Sequence, residues 1–391
     1  MNSNKFLPYS TQTISKEDVE AVIDTLKSQF LTQGPKVPEF ENKFAVYSGA
    51  KFGVASNSAT SALHTACMAL DLGKGDWLWT SPNSFVASAN CGIYCGAKVD
   101  FVDIDPKTYN ISVEILEKKL IEAKKKNILP KIVIPVHYAG QSCEMKKIFE
   151  LSKAYGFKII EDASHAAGAD YMEKKVGCCN YSHIAVFSFH PIKIITSIEG
   201  GIALTNDNKL YKKLMSHRSH GITSDKSLMH SRNKSEIWNY QQIMLGHNYR
   251  MTDVAASLGI SQLKRIDKFV SLRREIAKYY FENLSSTGYV LPYQSVNSKS
   301  SYHLFPIRVN YKKCNKTQIE IFDYLVKNSI AVNLHYIPIH RQPFYEKLGF
   351  KEGYCPEAEN YHRETISIPI YPNLTRQDQE KVVSVLIEAL K

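Results

Sequence analysis

The chain has 391 residues, of which 44% are hydrophobic and 22% charged, and its formal net charge is +11. That length exceeds what a single hydrophobic core fills, so two lobes are expected. No apolar run approaches the roughly 18 residues that span a bilayer, and Met1-Asn2-Ser3-Asn4-Lys5 lacks the apolar centre of a signal peptide, so a cytoplasmic protein is expected.

In chain order, Lys16-Glu17-Asp18-Val19 opens a helix with Ser15 as its N-cap. A turn-rich stretch follows at Leu31-Thr32-Gln33-Gly34-Pro35, and Val37, Phe40, Phe44 and Tyr47 have helical spacing. Phe52-Gly53-Val54-Ala55 reads as a short strand that runs through small polar residues into an apolar helix over 62–70. From there strands and helices alternate. Strands are expected at 77–80, 98–102, 131–136, 158–161, 185–188 and 201–205, with helices at 84–95 and 144–155 and a basic helix after the second of these strands. Alternation at this spacing predicts an α/β fold with a mainly parallel sheet covered on both faces, which collects reactive groups at loops beyond the strand ends. From Thr252 a single long helix is expected to 283, leading into a smaller α+β lobe with strands near 302–309 and 331–335 and helices near 317–328 and 377–389. The division falls at 1–250 and 251–391.

Of the eight cysteines, Cys178 and Cys179 are adjacent and Cys91 and Cys95 are four apart, but no CxxC pair repeats. That argues against zinc and for reduced, partly buried thiols. The densest basic run, from Lys118-Lys119 to Lys124-Lys125-Lys126, falls on the expected surface helix. A solvated helix face accounts for it, and no aromatic-interleaved basic patch points to nucleic acid. The positive balance also suits an anionic small-molecule substrate such as a nucleotide sugar.

Three stretches carry chemistry. Ser56-Asn57-Ser58-Ala59-Thr60-Ser61 lies between a strand and a helix, where small residues and free N–H groups can receive a phosphate, although such residues also cap ordinary helices. Ile159-Ile160-Glu161-Asp162-Ala163-Ser164-His165 ends a buried strand in an acid that can meet a pyridine nitrogen. His165 can lie beside the same ring. Phe187-Ser188-Phe189-His190-Pro191-Ile192-Lys193 places a lysine just past an apolar strand, followed by Glu199-Gly200-Gly201. Burial there lowers a lysine's pKa and favours the neutral nucleophile that forms a Schiff base, with Ser188 in reach of a phosphate. A lysine and an acid so placed are what pyridoxal 5′-phosphate (PLP) requires of a protein.

In this order the motifs resemble the DegT/DnrJ/StrS family of sugar-nucleotide aminotransferases, over nearly the whole chain. Further stretches carrying the resemblance are Leu31-Thr32-Gln33-Gly34, His220-Gly221-Ile222 and Gly246-His247-Asn248-Tyr249-Arg250-Met251-Thr252-Asp253. The resemblance implies fold type I, the aspartate aminotransferase-like architecture, with a large, mainly parallel seven-stranded sheet domain and a smaller C-terminal domain. It implies that Lys193 carries the cofactor and shuttles protons, and that Asp162 meets the ring nitrogen. Thr60, Ser61 and Ser188 then bind the phosphate, Phe85 stacks on the ring and His165 sits beside it. Asn248 reaches the phosphate from the other subunit, so a homodimer with shared active sites is expected. Relatives that act as dehydratases have histidine at the lysine position; Lys193 therefore favours transamination, and His190 does not replace it.

Within the family the resemblance is greatest to the pseudaminic acid branch, carried by Trp238-Asn239-Tyr240-Gln241-Gln242, by Asn333-Leu334-His335-Tyr336-Ile337-Pro338-Ile339-His340, by Gln342-Pro343-Phe344-Tyr345 and by Ile366-Ser367-Ile368-Pro369-Ile370-Tyr371-Pro372. It implies L-glutamate as amino donor and a UDP-linked 4-keto-6-deoxy-N-acetylhexosamine as acceptor. Arg232 and His335 are candidates for the UDP diphosphate, and Thr32, His190, Trp238 and Tyr336 complete the candidate substrate contacts. Another 4-keto or 3-keto nucleotide sugar, of the N-acetylbacillosamine or perosamine type, is the alternative acceptor.

Overall fold

Seven strands form the central sheet: β1 (Phe52–Ser56), β2 (Trp77–Thr80), β3 (Lys98–Phe101), β4 (Ile132–Ile134), β5 (Lys158–Asp162), β6 (Ile184–Ser188) and β7 (Gly201–Thr205). The computed structural model describes residues 6–230, 240–310, 314 and 316–391. The strand order is β1-β7-β6-β5-β4-β2-β3. Strands β3, β2, β4, β5 and β6 run parallel, whereas β7 is antiparallel to both β6 and β1. β4 and β7 are buried along their whole length, as expected of strands covered by helices on both faces.

Register then decides where the chemistry sits. Ser56 pairs with Gly201, and Gly201 pairs with Ser188. The ends of β1 and β6 therefore share one edge of the sheet, and Asp162 at the end of the neighbouring β5 joins them. Loops leaving that edge carry the reactive groups.

The described residues hold four hydrophobic clusters, two of which meet along one long helix. The helix Lys36–Ser48 presses Phe40 and Phe44 against Phe187 and Phe189, with ring centroids about 5.1 Å apart in edge contacts. Ala256, Ile260, Ile266, Phe269 and Val270 join this core. The second core gathers Ile276, Tyr280, Phe305, Ile321 and Leu386, together with Leu7 from the start of the chain. The helix Ile266–Leu284 thus has one end in each core. Its lobe holds a three-stranded antiparallel sheet, β8 (Tyr289–Val290), β9 (Phe305–Val309) and β10 (Thr365–Ile368), under the helices Gln318–Lys327 and Arg376–Ala389. Among the described residues no helix is long and apolar enough to cross a membrane.

Three element expectations are corrected. The long helix from Thr252 is two, Asp253–Leu263 and Ile266–Leu284, because Arg265 leaves helical geometry (φ −115°, ψ 5°) and its guanidinium pairs with the fully buried Asp18. Residues 331–335 form no strand; only Asn333 bridges to Ser367. The helix expected at 84–95 spans only Ala87–Tyr94. The Ser15 cap is present as a capping box with Asp18.

Candidate active site

A cavity of about 850 Å³ opens at the shared strand edge. It brings together Thr60, Ser61, Phe85, Asp162, His165, Ser188, His190, Lys193, His335 and Tyr336 from the sequence-derived set. Thr32 lies outside it, in a bridge to Thr252. Its neighbours there are structural: Gly34 N and Lys36 N donate to the buried Asp253 carboxylate at 2.8 and 2.7 Å. Asn248 is exposed and does not line the cavity of its own chain. Arg232 and Trp238 lie outside the described residues.

One end of the cavity is an anion site. Ser58 caps the helix Ala59–Ala69, accepting from Ser61 N at 3.1 Å, and Ser61 Oγ donates to Asn57 Oδ1 at 2.6 Å. The first N–H groups of that helix have no partner within it and face the cavity beside the hydroxyls of Thr60 and Ser188. Gly201 lets the sheet approach this turn: a Cβ there would lie 2.4 Å from Ala59 N and 2.5 Å from Ala59 Cα. No residue with a side chain fits without moving the anion loop.

The acid sits at the other end. Asp162 is buried, accepting from Ser88 Oγ at 2.6 Å and from Ser164 N at 3.1 Å. Ser88 is in turn 2.7 Å from Ser84 Oγ. Two hydrogen bonds hold the carboxylate in place while it still faces the cavity.

Lys193 lies between them, half-buried, with its backbone N–H bonded to His190 O at 2.9 Å. Burial pushes its ammonium down to about 8, opposed by the Asp162 charge. Burial also drives His165 well below its ordinary value, with the Lys193 charge adding to the effect, and lowers His335 to about 3. Both imidazoles are therefore neutral near pH 7. His165 Nε2 is 3.1 Å from the Tyr336 hydroxyl, while its buried Nδ1 has no hydrogen-bond partner among the described residues. Burial raises Tyr336, which keeps it a phenol. His335 Nδ1 is 2.9 Å from Ser367 Oγ, and its carbonyl accepts from Tyr138 Oη at 2.6 Å. Phe85 is 60% exposed at the cavity wall, a flat apolar surface open to a ring. His190 is exposed, 4.0 Å from Glu199.

Sequence reasoning missed Ser88 and Ser164, which hold Asp162, and Tyr9 and Asn333, which line the cavity. Ser164 stands inside the acid motif and was within reach of a sequence reading. Ser88 follows Ser84 by four residues, a weak cue; Asn333 opens the stretch that carries the family resemblance, and nothing in the sequence marks Tyr9.

The donor set fits PLP: an amine of lowered pKa, a buried carboxylate for a ring nitrogen and a helix N-terminus for a phosphate, in one cavity of suitable size. Fold and site together define an aminotransferase of fold type I. The DegT/DnrJ/EryC1/StrS aminotransferase family model matches residues 12–387. The UDP-4-amino-4,6-dideoxy-N-acetyl-beta-L-altrosamine transaminase of Campylobacter jejuni serotype O:23/36 is 38% identical over 387 residues, 98% of each chain. The spore coat polysaccharide biosynthesis protein SpsC of Bacillus subtilis is 36% identical over 393 residues, 99% of this chain and 98% of that one. Among solved structures, Helicobacter pylori PseC, an aminotransferase involved in pseudaminic acid biosynthesis, superposes with a TM-score of 0.90 at 32% identity, over 99% of both chains. The chain belongs to the DegT/DnrJ/EryC1/StrS aminotransferase family, and it is a PLP-dependent sugar aminotransferase.

Proposed function

We propose that this enzyme transfers the amino group of L-glutamate to C4 of UDP-2-acetamido-2,6-dideoxy-beta-L-arabino-hexos-4-ulose. The product is UDP-4-amino-4,6-dideoxy-N-acetyl-beta-L-altrosamine, a precursor of pseudaminic acid on surface glycans. The observation that carries the sugar is the similarity over 98% of both chains to a transaminase named for that product. The reaction takes place in the cytoplasm, where UDP-sugars and glutamate are available.

Bound in the cavity, PLP supplies an electron sink and carries the amino group between the two substrates. Lys193 Nζ acts first as nucleophile, since its lowered pKa leaves about half of it neutral near pH 8. With the group bound, the same Nζ would hold and move the proton that the transfer requires. Asp162, fixed by Ser88 and Ser164, holds a proton on the ring nitrogen by charge. Thr60, Ser61 and Ser188 would hold the cofactor's phosphate, and Phe85 would supply the apolar face for its ring. His165 and Tyr336 flank the same space as neutral groups and add no competing charge. The exposed His190 and the buried His335 both line the cavity and are the residues of this set that would contact the sugar nucleotide.

The active unit in this reading is a homodimer. The backbone carbonyl of Tyr249, next to Asn248, accepts from Asn57 N at 2.8 Å, so the exposed Asn248 sits at the outer rim of the anion loop. Exposed there, Asn248 would reach across the interface to the phosphate site of the other subunit.

Incubation with L-glutamate and a panel of 4-keto and 3-keto UDP- and dTDP-sugars, read by mass spectrometry and NMR, tests the assignment. The L-altro 4-amino UDP-sugar is the expected product. A different amino sugar would move the enzyme to another acceptor, and glutamate-independent dehydration would replace transamination.

A further inference from the structure

Beside the anion loop, the segment 246–250 lies extended between two parts of the chain. Arg250 bridges to Ser56 at the end of β1, and Asn248 bridges to Ser219 just past the helix Asn208–Arg218, both antiparallel. Backbone bonds fill the seam: Tyr249 N donates to Arg218 O at 3.0 Å, His247 N to His217 O at 2.7 Å and Asn57 N to Tyr249 O at 2.8 Å. The approach is closest at Gly246, where a Cβ would lie 2.3 Å from Gly221 N and 2.5 Å from His220 C. Side chains alternate along such a segment. His247 and Tyr249 are half-buried on one face, stacked with ring centroids 4.8 Å apart, and Asn248 between them is exposed on the other.

A buried histidine secures the inner face. His64 stands on the helix Ala59–Ala69, which opens at the anion loop, and is only 6% exposed. Its Nδ1 is 3.2 Å from the Tyr249 hydroxyl, and its ring centroid is 5.0 Å from that of His247. Burial raises the pKa of Tyr249, so the hydroxyl keeps its proton. Tyr94 adds an edge contact to the imidazole at 5.4 Å. His64 does not line the active-site cavity.

We propose, resting on the homodimer reading of this enzyme, that His64 and Tyr249 are positioning residues for Asn248: their hydrogen bond pins the inner face of the segment and aims the outward residue at the phosphate site of the other subunit. The backbone bonds fix where the segment lies. The side-chain bond fixes its roll about its own axis, and roll is what aims a side chain that stands perpendicular to an extended chain. His64 thus serves the site across the interface, although it stands on the anion helix of its own chain.

Mixed dimers test this, because the pinned segment and the site it serves belong to different chains. PLP titration, read by absorbance of the lysine-bound form, gives the affinity. Tyr249→Phe removes the hydroxyl and keeps the ring. It should raise the PLP Kd about threefold to tenfold, and add nothing to Asn248→Ala in the double variant. His64→Ala should match Tyr249→Phe, and His64→Asn, which keeps a polar atom near the Nδ1 position, should recover part of the loss. In a dimer of one Tyr249→Phe chain and one Lys193→Ala chain, isolated by two different affinity tags, the Lys193 site takes Asn248 from a chain with Tyr249 intact. Wild-type affinity should therefore return. An unchanged affinity in homodimeric Tyr249→Phe would overturn the positioning role. So would a loss that persists in the mixed dimer, since the defect would then lie in the chain's own anion loop. Pairing Asn248→Ala with Lys193→Ala is the control: affinity should return there too, and a loss that persists would overturn the homodimer reading itself, and with it the role of His64.

Discussion

Ser88 Oγ donates a 2.6 Å hydrogen bond to Asp162 Oδ2, joining a helix that lines the cavity to the acid at the end of β5. The carboxylate keeps its position only while this donor and Ser164 N are in place. A charge-assisted hydrogen bond of this kind contributes roughly 1.5–3 kcal/mol. Ser88→Ala should therefore lower kcat by about tenfold to a hundredfold with a smaller change in KM. Asp162→Ala should cost at least about a hundredfold. Steady-state kinetics with glutamate and the keto sugar give both values, and Ser88→Thr, which restores a hydroxyl, should recover part of the loss.

The lowered pKa of Lys193 makes cofactor uptake dependent on pH. Only the neutral amine attacks, and it becomes the minor form below about 8. The rate of PLP uptake by the cofactor-free chain should fall by about tenfold per pH unit below that value and level off above it. Stopped-flow absorbance measures this directly. A rate still climbing to about pH 10, as for an ordinary exposed lysine, would show that burial does not tune the amine.

Gly201 separates packing from chemistry. Its Cβ in Gly201→Ala would collide with the backbone of Ala59, and overpacking of this kind costs typically 1–3 kcal/mol. Because the displaced segment is the anion loop, PLP affinity should fall together with stability. At Gly73 an added Cβ would meet nothing within 4 Å, and its φ is not positive, so Gly73→Ala should leave both unchanged. Urea denaturation and PLP titration of the two variants make the comparison.

The sequence carried the site better than the fold's joints. Asp162 ends a buried strand, Lys193 and the 57–61 loop follow one, and apolar runs of strand length are visible in one dimension. Periodicity does not report strand direction, so β7 running against β6 was not legible. Nor was the break between Leu263 and Ile266, which depends on Arg265 reaching Asp18, far away in sequence. The 331–335 segment has the composition of a strand but pairs only at Asn333, and its neighbours His335 and Tyr336 line the cavity instead. Ser88 and Tyr9 were missed because their roles arise where separate elements meet.

Borohydride reduction of the PLP-loaded enzyme followed by peptide mapping tests the central assignment most directly. The account predicts one reduced pyridoxyl phosphate group per chain, attached to Lys193 Nζ, and none in Lys193→Ala, which should also have lost turnover. Attachment to another lysine, or wild-type turnover in Lys193→Ala, would contradict it.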